Sequence, residues 1–316
     1  MTAGRRLRVV FFGTPDFAVP ALDALLGSRH HVVGVVSQPD RPRGRGRKVS
    51  AAPVKRRSLE ASRPVLQPSR LKDEAFMASL AALDADLGVV AAYGRILTDA
   101  ILHMPGLGMI NVHASLLPRY RGAAPVHRAI IAGERETGVT IMRVVQALDA
   151  GPIMASARHP IGPDETSEQV ERDLARLGAD LLVTVIDALA DGTATEIPQD
   201  DSAATYAHRL SKQDGVIDWT QPARRVHDLV RGLHPWPHAY TSIGGHRFII
   251  LRSAPVSEPL IAEPGTIVAA AGDDLRVATG DGTLRILEIQ AEGKRPMTAR
   301  DFLAGHRLAP GERFGA

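Results

Sequence analysis

Met109-Ile110-Asn111-Val112-His113-Ala114-Ser115-Leu116-Leu117-Pro118 reads as a short apolar strand that opens into a loop. Upstream lie further short apolar runs: 7–12, 31–37 (HVVGVVS, rich in β-branched residues) and 87–92 (LGVVAA). Between them, 17–26, 55–62 and 74–83 carry helical spacing. Downstream, 138–145 and 153–161 add two more strands, and 167–190 holds a long helix. Strands alternating with helices predict an α/β, Rossmann-like fold, a mostly parallel sheet with helices on both faces.

The texture changes after Asp191. Residues 192–205 (GTATEIPQDDSAAT) are small and polar, as in a linker. Beyond Pro235-Trp236-Pro237, the runs 247–251, 265–269, 275–278 and 283–289 are short and apolar, separated by turn residues such as Gly244-Gly245 and Gly280-Asp281-Gly282. That spacing predicts a small OB-like β-barrel. The expected division is a Rossmann-like domain over 1–191, a linker over 192–208 and a C-terminal OB-like β-barrel domain over 209–316. Trp236 reads as a core or interface anchor.

At 316 residues, two domains are the natural expectation. With 44% hydrophobic and 23% charged residues the composition is ordinary for a globular protein. No apolar stretch is long enough to span a bilayer, and the N-terminus lacks the pattern of a secretory signal, so a cytoplasmic location is expected. The absence of cysteine excludes disulfides, thiolate zinc sites and cysteine nucleophiles. A formal charge of +3 permits nucleic-acid binding without requiring it.

The chemistry gathers at the end of the opening stretch. Residues two apart in a strand share a face, so Asn111 and His113 project together. In open α/β sheets ligands bind beyond the carboxyl ends of the strands. An amide and an imidazole converging there suit a carbonyl whose oxygen gains charge in the transition state. Asn111 is also the only asparagine in the chain. The pair alone fits equally a turn-capping asparagine and a packed histidine. Asp149, in Ala147-Leu148-Asp149-Ala150-Gly151-Pro152, sits in a turn between two expected strands, where aspartate is also a common structural choice. Placed near His113, its carboxylate would favour the imidazolium and help organise a proton-carrying water. Gly13-Thr14-Pro15 stands where a dinucleotide fold would show its glycine fingerprint, so a nicotinamide cofactor is not expected. No convincing metal site is present; His234 and His238 are separated by two prolines.

His113-Ala114-Ser115-Leu116-Leu117-Pro118 followed by Gly122 resembles the signature of folate-dependent formyltransferases. The narrower pattern is similar to methionyl-tRNA formyltransferases. Phe12-Gly13-Thr14-Pro15-Asp16-Phe17-Ala18, Gln38-Pro39-Asp40-Arg41-Pro42, Arg119-Tyr120-Arg121-Gly122-Ala123-Ala124-Pro125, Leu148-Asp149-Ala150-Gly151 and Ile217-Asp218-Trp219 all match it. The resemblance extends over nearly the full length. It implies Asn111, His113 and Asp149 as the catalytic trio, with Asn111 and protonated His113 holding the oxyanion. It implies 10-formyltetrahydrofolate as co-substrate along Ser115, Leu116, Leu117 and Pro118, and initiator methionyl-tRNA as acceptor, with no metal. A monomer that binds no membrane is expected.

Arg41-Pro42-Arg43-Gly44-Arg45-Gly46-Arg47-Lys48 follows the second strand, and five of its eight residues are basic. Such a stretch is commonly a solvated loop. By the resemblance it contacts the acceptor end of the tRNA through Arg41, Arg43, Arg45, Arg47 and Lys48, with Arg45 matching the important arginine. Arg224, Arg225, Arg231, Arg247, Arg252, Lys294 and Arg295 form a second basic set, either a phosphate-binding channel or ordinary surface charge. Three rival readings remain: a formyltransferase acting on a small amine, a formyltetrahydrofolate hydrolase, and a non-catalytic RNA-binding protein.

Overall fold

The computed structural model describes residues 5–43, 48–258 and 262–315. Contacts divide the chain into two compact units. The first takes the chain up to residue 125 with 136–160 and 171–207, and the second takes 126–135, 161–170 and the chain from 208. Among the described residues no helix is long and apolar enough to cross a membrane.

Seven strands form the sheet of the first unit, in the order Ile153–Pro160, Glu136–Arg143, Met109–His113, Leu87–Ala91, Arg8–Gly13, His31–Val36, Val65–Leu66. The five from Met109–His113 to Val65–Leu66 run parallel, and Glu136–Arg143 pairs antiparallel both with Met109–His113 and with the edge strand Ile153–Pro160. Parallel strands covered on both faces are apolar throughout, which is why Val9, Val10, Phe11 and Phe12 are all buried. Each such side chain contributes about 1.5–3 kcal/mol of burial free energy. The antiparallel edge strand Ile153–Pro160 instead alternates half-buried and exposed residues over its second half.

The chain starts in the centre of this sheet, moves out to Val65–Leu66 and returns on the other side of Arg8–Gly13. The order therefore reverses between Arg8–Gly13 and Leu87–Ala91, and a crevice is expected beyond their carboxyl ends. Hydrogen bonds knit that region. Gln38 donates from Nε2 to the Tyr93 carbonyl at 2.7 Å, and the Thr14 hydroxyl donates to the same carbonyl at 3.3 Å. The flanking helices carry ordinary signals. Val19–Gly27 has proline in its first turn, and Asp73 caps Glu74–Ala81 by accepting the Phe76 N–H at 3.0 Å.

Two stretches expected to be loop or linker make backbone pairs. Arg41–Arg43 pairs antiparallel with Lys48–Ser50. Within 192–208, Tyr206–Ala207 pairs in parallel with Arg121–Gly122.

The second unit holds an antiparallel sheet, Ala239–Ile243, His246–Val256, Thr283–Ala291, Asp274–Ala278 and Ile267–Ala271 in that order, with Met297–Thr298 added to Thr283–Ala291. Register shifts around Arg252 interrupt the long strand, as bulges do where a sheet bends. This is the antiparallel β architecture that the short apolar runs predicted. Its core is aromatic: Trp219 stacks on Phe314, and Phe248 meets Phe302 edge-on. The Trp219 indole N–H donates to the Thr241 hydroxyl at 3.0 Å, so its one polar group is satisfied.

No helix was read over Ala223–Gly232, whose buried face carries His227, Asp228 and Arg231 along with Val226 and Val230. Arg231 pairs with Asp228 at 2.7 Å, both nearly without solvent exposure, and also donates to the Gly162 and Glu165 carbonyls. Arg231 is therefore not available to a phosphate backbone, which corrects its place in the second basic set. Arg252, Lys294 and Arg295 of that set are exposed.

Burial has a consequence for acid stability. It pushes the His127 imidazole down to about 4, helped by the Arg128 charge, and holds His227 below its ordinary range against the pull of its bond to the Pro163 carbonyl. In the unfolded chain a histidine takes up its proton near pH 6.5. Unfolding thus binds protons over this window, and the stability is fully present above pH 6.5 and lost as pH falls through about 4. We expect the melting temperature of the second unit to fall by about 5–10 °C between pH 7 and pH 5. His127→Gln should flatten that fall in calorimetric scans; an unchanged slope would mean that other groups carry the acid sensitivity.

Candidate active site

Strand Met109–His113 lies between Leu87–Ala91 and Glu136–Arg143, with Asn111 opposite Val90 and Met142 and His113 opposite Thr140. Ile110 and Val112 point into the packed interior, and the alternate residues Asn111 and His113 share the other direction. Asn111 is half-buried, and its carboxamide makes no hydrogen bond among the described residues. It stands inside a strand, so the turn-capping alternative is removed. A half-buried amide that the fold does not use is available to a ligand.

His113 is buried, 5% exposed. Its Nε2–H donates to the Tyr120 carbonyl at 3.0 Å, which sets the tautomer and leaves Nδ1 facing Asp149. The distance from Nδ1 to Asp149 Oδ2 is 3.7 Å, an ion-pair separation longer than a hydrogen bond. The structure thus brings two members of the predicted trio into contact range.

Asp149 adopts a left-handed backbone, φ 47°, in the loop between Glu136–Arg143 and Ile153–Pro160. Its Oδ2 accepts the Gly122 N–H at 2.8 Å. Gly122 has no substitute there: its φ is +116°, and a Cβ would stand 2.8 Å from the Ala207 carbonyl oxygen. The loop is closed equally tightly at Gly151, where a Cβ would fall 1.9 Å from the Arg143 carbonyl oxygen.

The loop after His113 is pinned from below. The Thr140 hydroxyl donates to the Ser115 carbonyl at 2.7 Å and accepts the Leu117 N–H at 3.2 Å. Ser115 is fully buried and its hydroxyl donates to the Arg119 carbonyl at 2.7 Å. Leu117 is buried too, before a cis peptide bond to Pro118, whereas Leu116 and Pro118 remain partly exposed. Of the four residues predicted along the folate, Leu116 and Pro118 are the ones with surface to offer. Nearby loops expose further apolar surface: Ile96 is 82% exposed and Leu148 54%. Gln146 hydrogen-bonds to Asp99 and ties these two loops together.

Comparison with known proteins gives the arrangement its context. The formyl transferase family matches residues 6–186, and the formyl transferase C-terminal domain matches 209–307. A methionyl-tRNA formyltransferase of Moorella thermoacetica is 45% identical over 98% of this chain and 99% of its own. One from Methylococcus capsulatus is 48% identical over 98% of this chain and 100% of its own. The chain belongs to the methionyl-tRNA formyltransferase family. Membership makes it an enzyme of formyl transfer. The fold is shared more widely: an N-formyltransferase from Helicobacter canadensis superposes with a TM-score of 0.66 at 16% identity, over 89% of this chain and 98% of that one.

Within this family site, Arg45 and Arg47 lie outside the described residues, as do the side chains of Arg41, Arg43 and Lys48. Asp40, just before them, is held: Lys55 at 2.5 Å and Gln67 at 3.0 Å keep its carboxyl below the usual range. Trp236 is half exposed, which removes the core alternative of the two the sequence offered and leaves the interface one. The sequence reading also missed four participants: the Tyr120 carbonyl, Thr140, Arg121 and Gln199. Arg121 stood in a quoted motif and Thr140 in an expected strand, but neither carried a signal of its contacts. Gln199 stood in the polar stretch read as linker.

Proposed function

We propose that this enzyme transfers the formyl group of 10-formyltetrahydrofolate to the α-amino group of methionine carried by initiator tRNA. The observation that carries the reading is the uncommitted Asn111 amide beside the His113–Asp149 pair. The amine nitrogen attacks the formyl carbon, and the carbonyl electron pair moves to oxygen. Asn111 donates to that oxyanion. As the imidazolium, His113 carries a hydrogen on Nδ1 as well as on Nε2, and this nitrogen, 3.7 Å from Asp149 Oδ2, serves the oxyanion as well as the carboxylate. The intermediate collapses by breaking the bond from carbon to the folate nitrogen, which takes the electron pair and a proton. The amine loses a proton in the same sequence, so none is consumed overall. Asp149 and an intervening water carry it across. A free α-amino group has a pKa of roughly 7.7–8.0, so activation of the nucleophile is a small part of the task, and alignment is the larger one. Leu116, Pro118 and the exposed apolar residues of the neighbouring loops offer surface for the folate ring system.

The test is formyl transfer to charged initiator methionyl-tRNA, beside charged elongator methionyl-tRNA and a control without tRNA. Transfer confined to the initiator supports the reading. Folate turnover without tRNA would make water the acceptor, and transfer to small amines alone would leave the basic segment without a partner. For that segment we expect Arg45→Ala to raise KM for methionyl-tRNA about tenfold or more. The slope of log affinity against log salt should also fall by about one. Folate affinity should stay within about twofold, since a phosphate contact on the tRNA leaves the folate pocket unaltered. Equal weakening toward folate would remove the segment from tRNA binding.

A further inference from the structure

The Asp149 turn is held by a side chain that comes from far along the chain. Gln199 gives both N–H groups of its amide to it. The two N–H groups donate to the Asp149 carbonyl at 2.8 Å and the Gly151 carbonyl at 2.7 Å, at and just after the left-handed bend. The amide oxygen accepts from Arg121 twice, from Nε at 3.1 Å and Nη2 at 2.8 Å. Arg121 is buried, its side chain 4% exposed, and Nη2 also donates to Asp201 at 2.7 Å. Arginine has no acceptor and a carbonyl no donor, so the amide orientation is unambiguous. Backbone pairing supports the same junction: Arg121 donates its N–H to the Thr205 carbonyl at 2.8 Å, and Ala123 to the Ala207 carbonyl at 2.9 Å.

We infer that Gln199, oriented by buried Arg121, is the positioning residue for the catalytic carboxylate. It touches no reacting atom. It closes the turn at and just after Asp149, so the carboxylate stays 3.7 Å from His113 Nδ1 while it accepts the Gly122 N–H. A left-handed backbone is uncommon for a residue other than glycine and persists only where the surroundings impose it. Gln199 supplies that constraint. The inference rests on Asp149 acting in the proposed formyl transfer.

The experiment is a double-mutant cycle on the full chain. Gln199→Glu keeps the shape and still accepts from Arg121, but cannot donate to the two carbonyls; Gln199→Leu removes all four bonds. Each is measured alone and in an Asp149→Asn background, with kcat, KM for methionyl-tRNA and melting temperature read together. Misplacing a catalytic group by about an ångström costs on the order of a hundredfold in rate. We expect kcat to fall about ten- to a hundredfold in Gln199→Glu with KM unchanged within about twofold. In the Asp149→Asn background the same change should cost less than about threefold, because the group it positions is already disabled. An undiminished loss in that background would overturn the inference, as would a rise in KM with kcat intact. If Gln199→Leu fails to fold, Gln199→Glu decides alone. Failure of the underlying reading shows separately, as absent transfer by the unaltered enzyme.

Discussion

Asn111→Ala is expected to lower kcat for formyl transfer by about 10²–10³-fold, the cost of removing one oxyanion donor. The oxyanion exists only in the transition state and the intermediate, so the loss should fall on kcat and leave folate affinity nearly unchanged. The fold should not register the change. The carboxamide makes no hydrogen bond among the described residues, so its removal strands nothing, and the melting temperature should stay close to that of the unaltered enzyme. His113→Ala provides the contrast. It too should abolish most of kcat, but it also deprives the Tyr120 carbonyl of its donor, which costs about 1–3 kcal/mol if that carbonyl remains buried. Single-turnover rates with folate binding measured separately distinguish these cases. An Asn111→Ala enzyme that kept its kcat and bound folate weakly would make Asn111 a ground-state contact.

Asp149→Asn should be the second large effect, about 10²–10⁴-fold in kcat, the range of a proton-transferring group. The substitution is nearly isosteric. An amide oxygen at the same place still accepts the Gly122 N–H, and the two bonds from Gln199 go to backbone carbonyls that the substitution leaves alone. What disappears is the negative charge 3.7 Å from His113 Nδ1. Melting temperature and KM for methionyl-tRNA should therefore hold while kcat collapses. Asp149→Ala would add the loss of the Gly122 bond, and its excess damage measures the structural share of the carboxylate. An Asp149→Asn enzyme within about threefold of the original kcat would show that the side chain serves only to anchor Gly122, and would remove it from proton transfer.

The parallel sheet was legible because strands buried on both faces leave continuous apolar runs, as at Val9 to Phe12 and Leu87 to Ala91. Asn111 and His113 were legible because a strand places alternate residues on one side. A hydropathy pattern counts the buried Asp228–Arg231 pair of helix Ala223–Gly232 as surface. Arg231 was misplaced for the same reason, since nothing local tells a solvated arginine from one paired with a buried aspartate. For Trp236 the sequence left core and interface open, and half exposure removes only the core.

By itself the sequence determined the order of the elements, the residue types at the reacting centre and, through motifs spread over nearly the whole chain, the family. These are properties of local pattern, carried by period, turn residues and short signatures. The tertiary structure alone decided which partners those residues have. It joined His113 to the Tyr120 carbonyl, brought Asp149 to His113, buried Ser115 and left Leu116 partly exposed. It also returned Gln199 from an apparently featureless stretch to close the Asp149 turn. Hydrogen bonds between residues distant in the chain depend on where the backbone brings them, and no local period or composition records that.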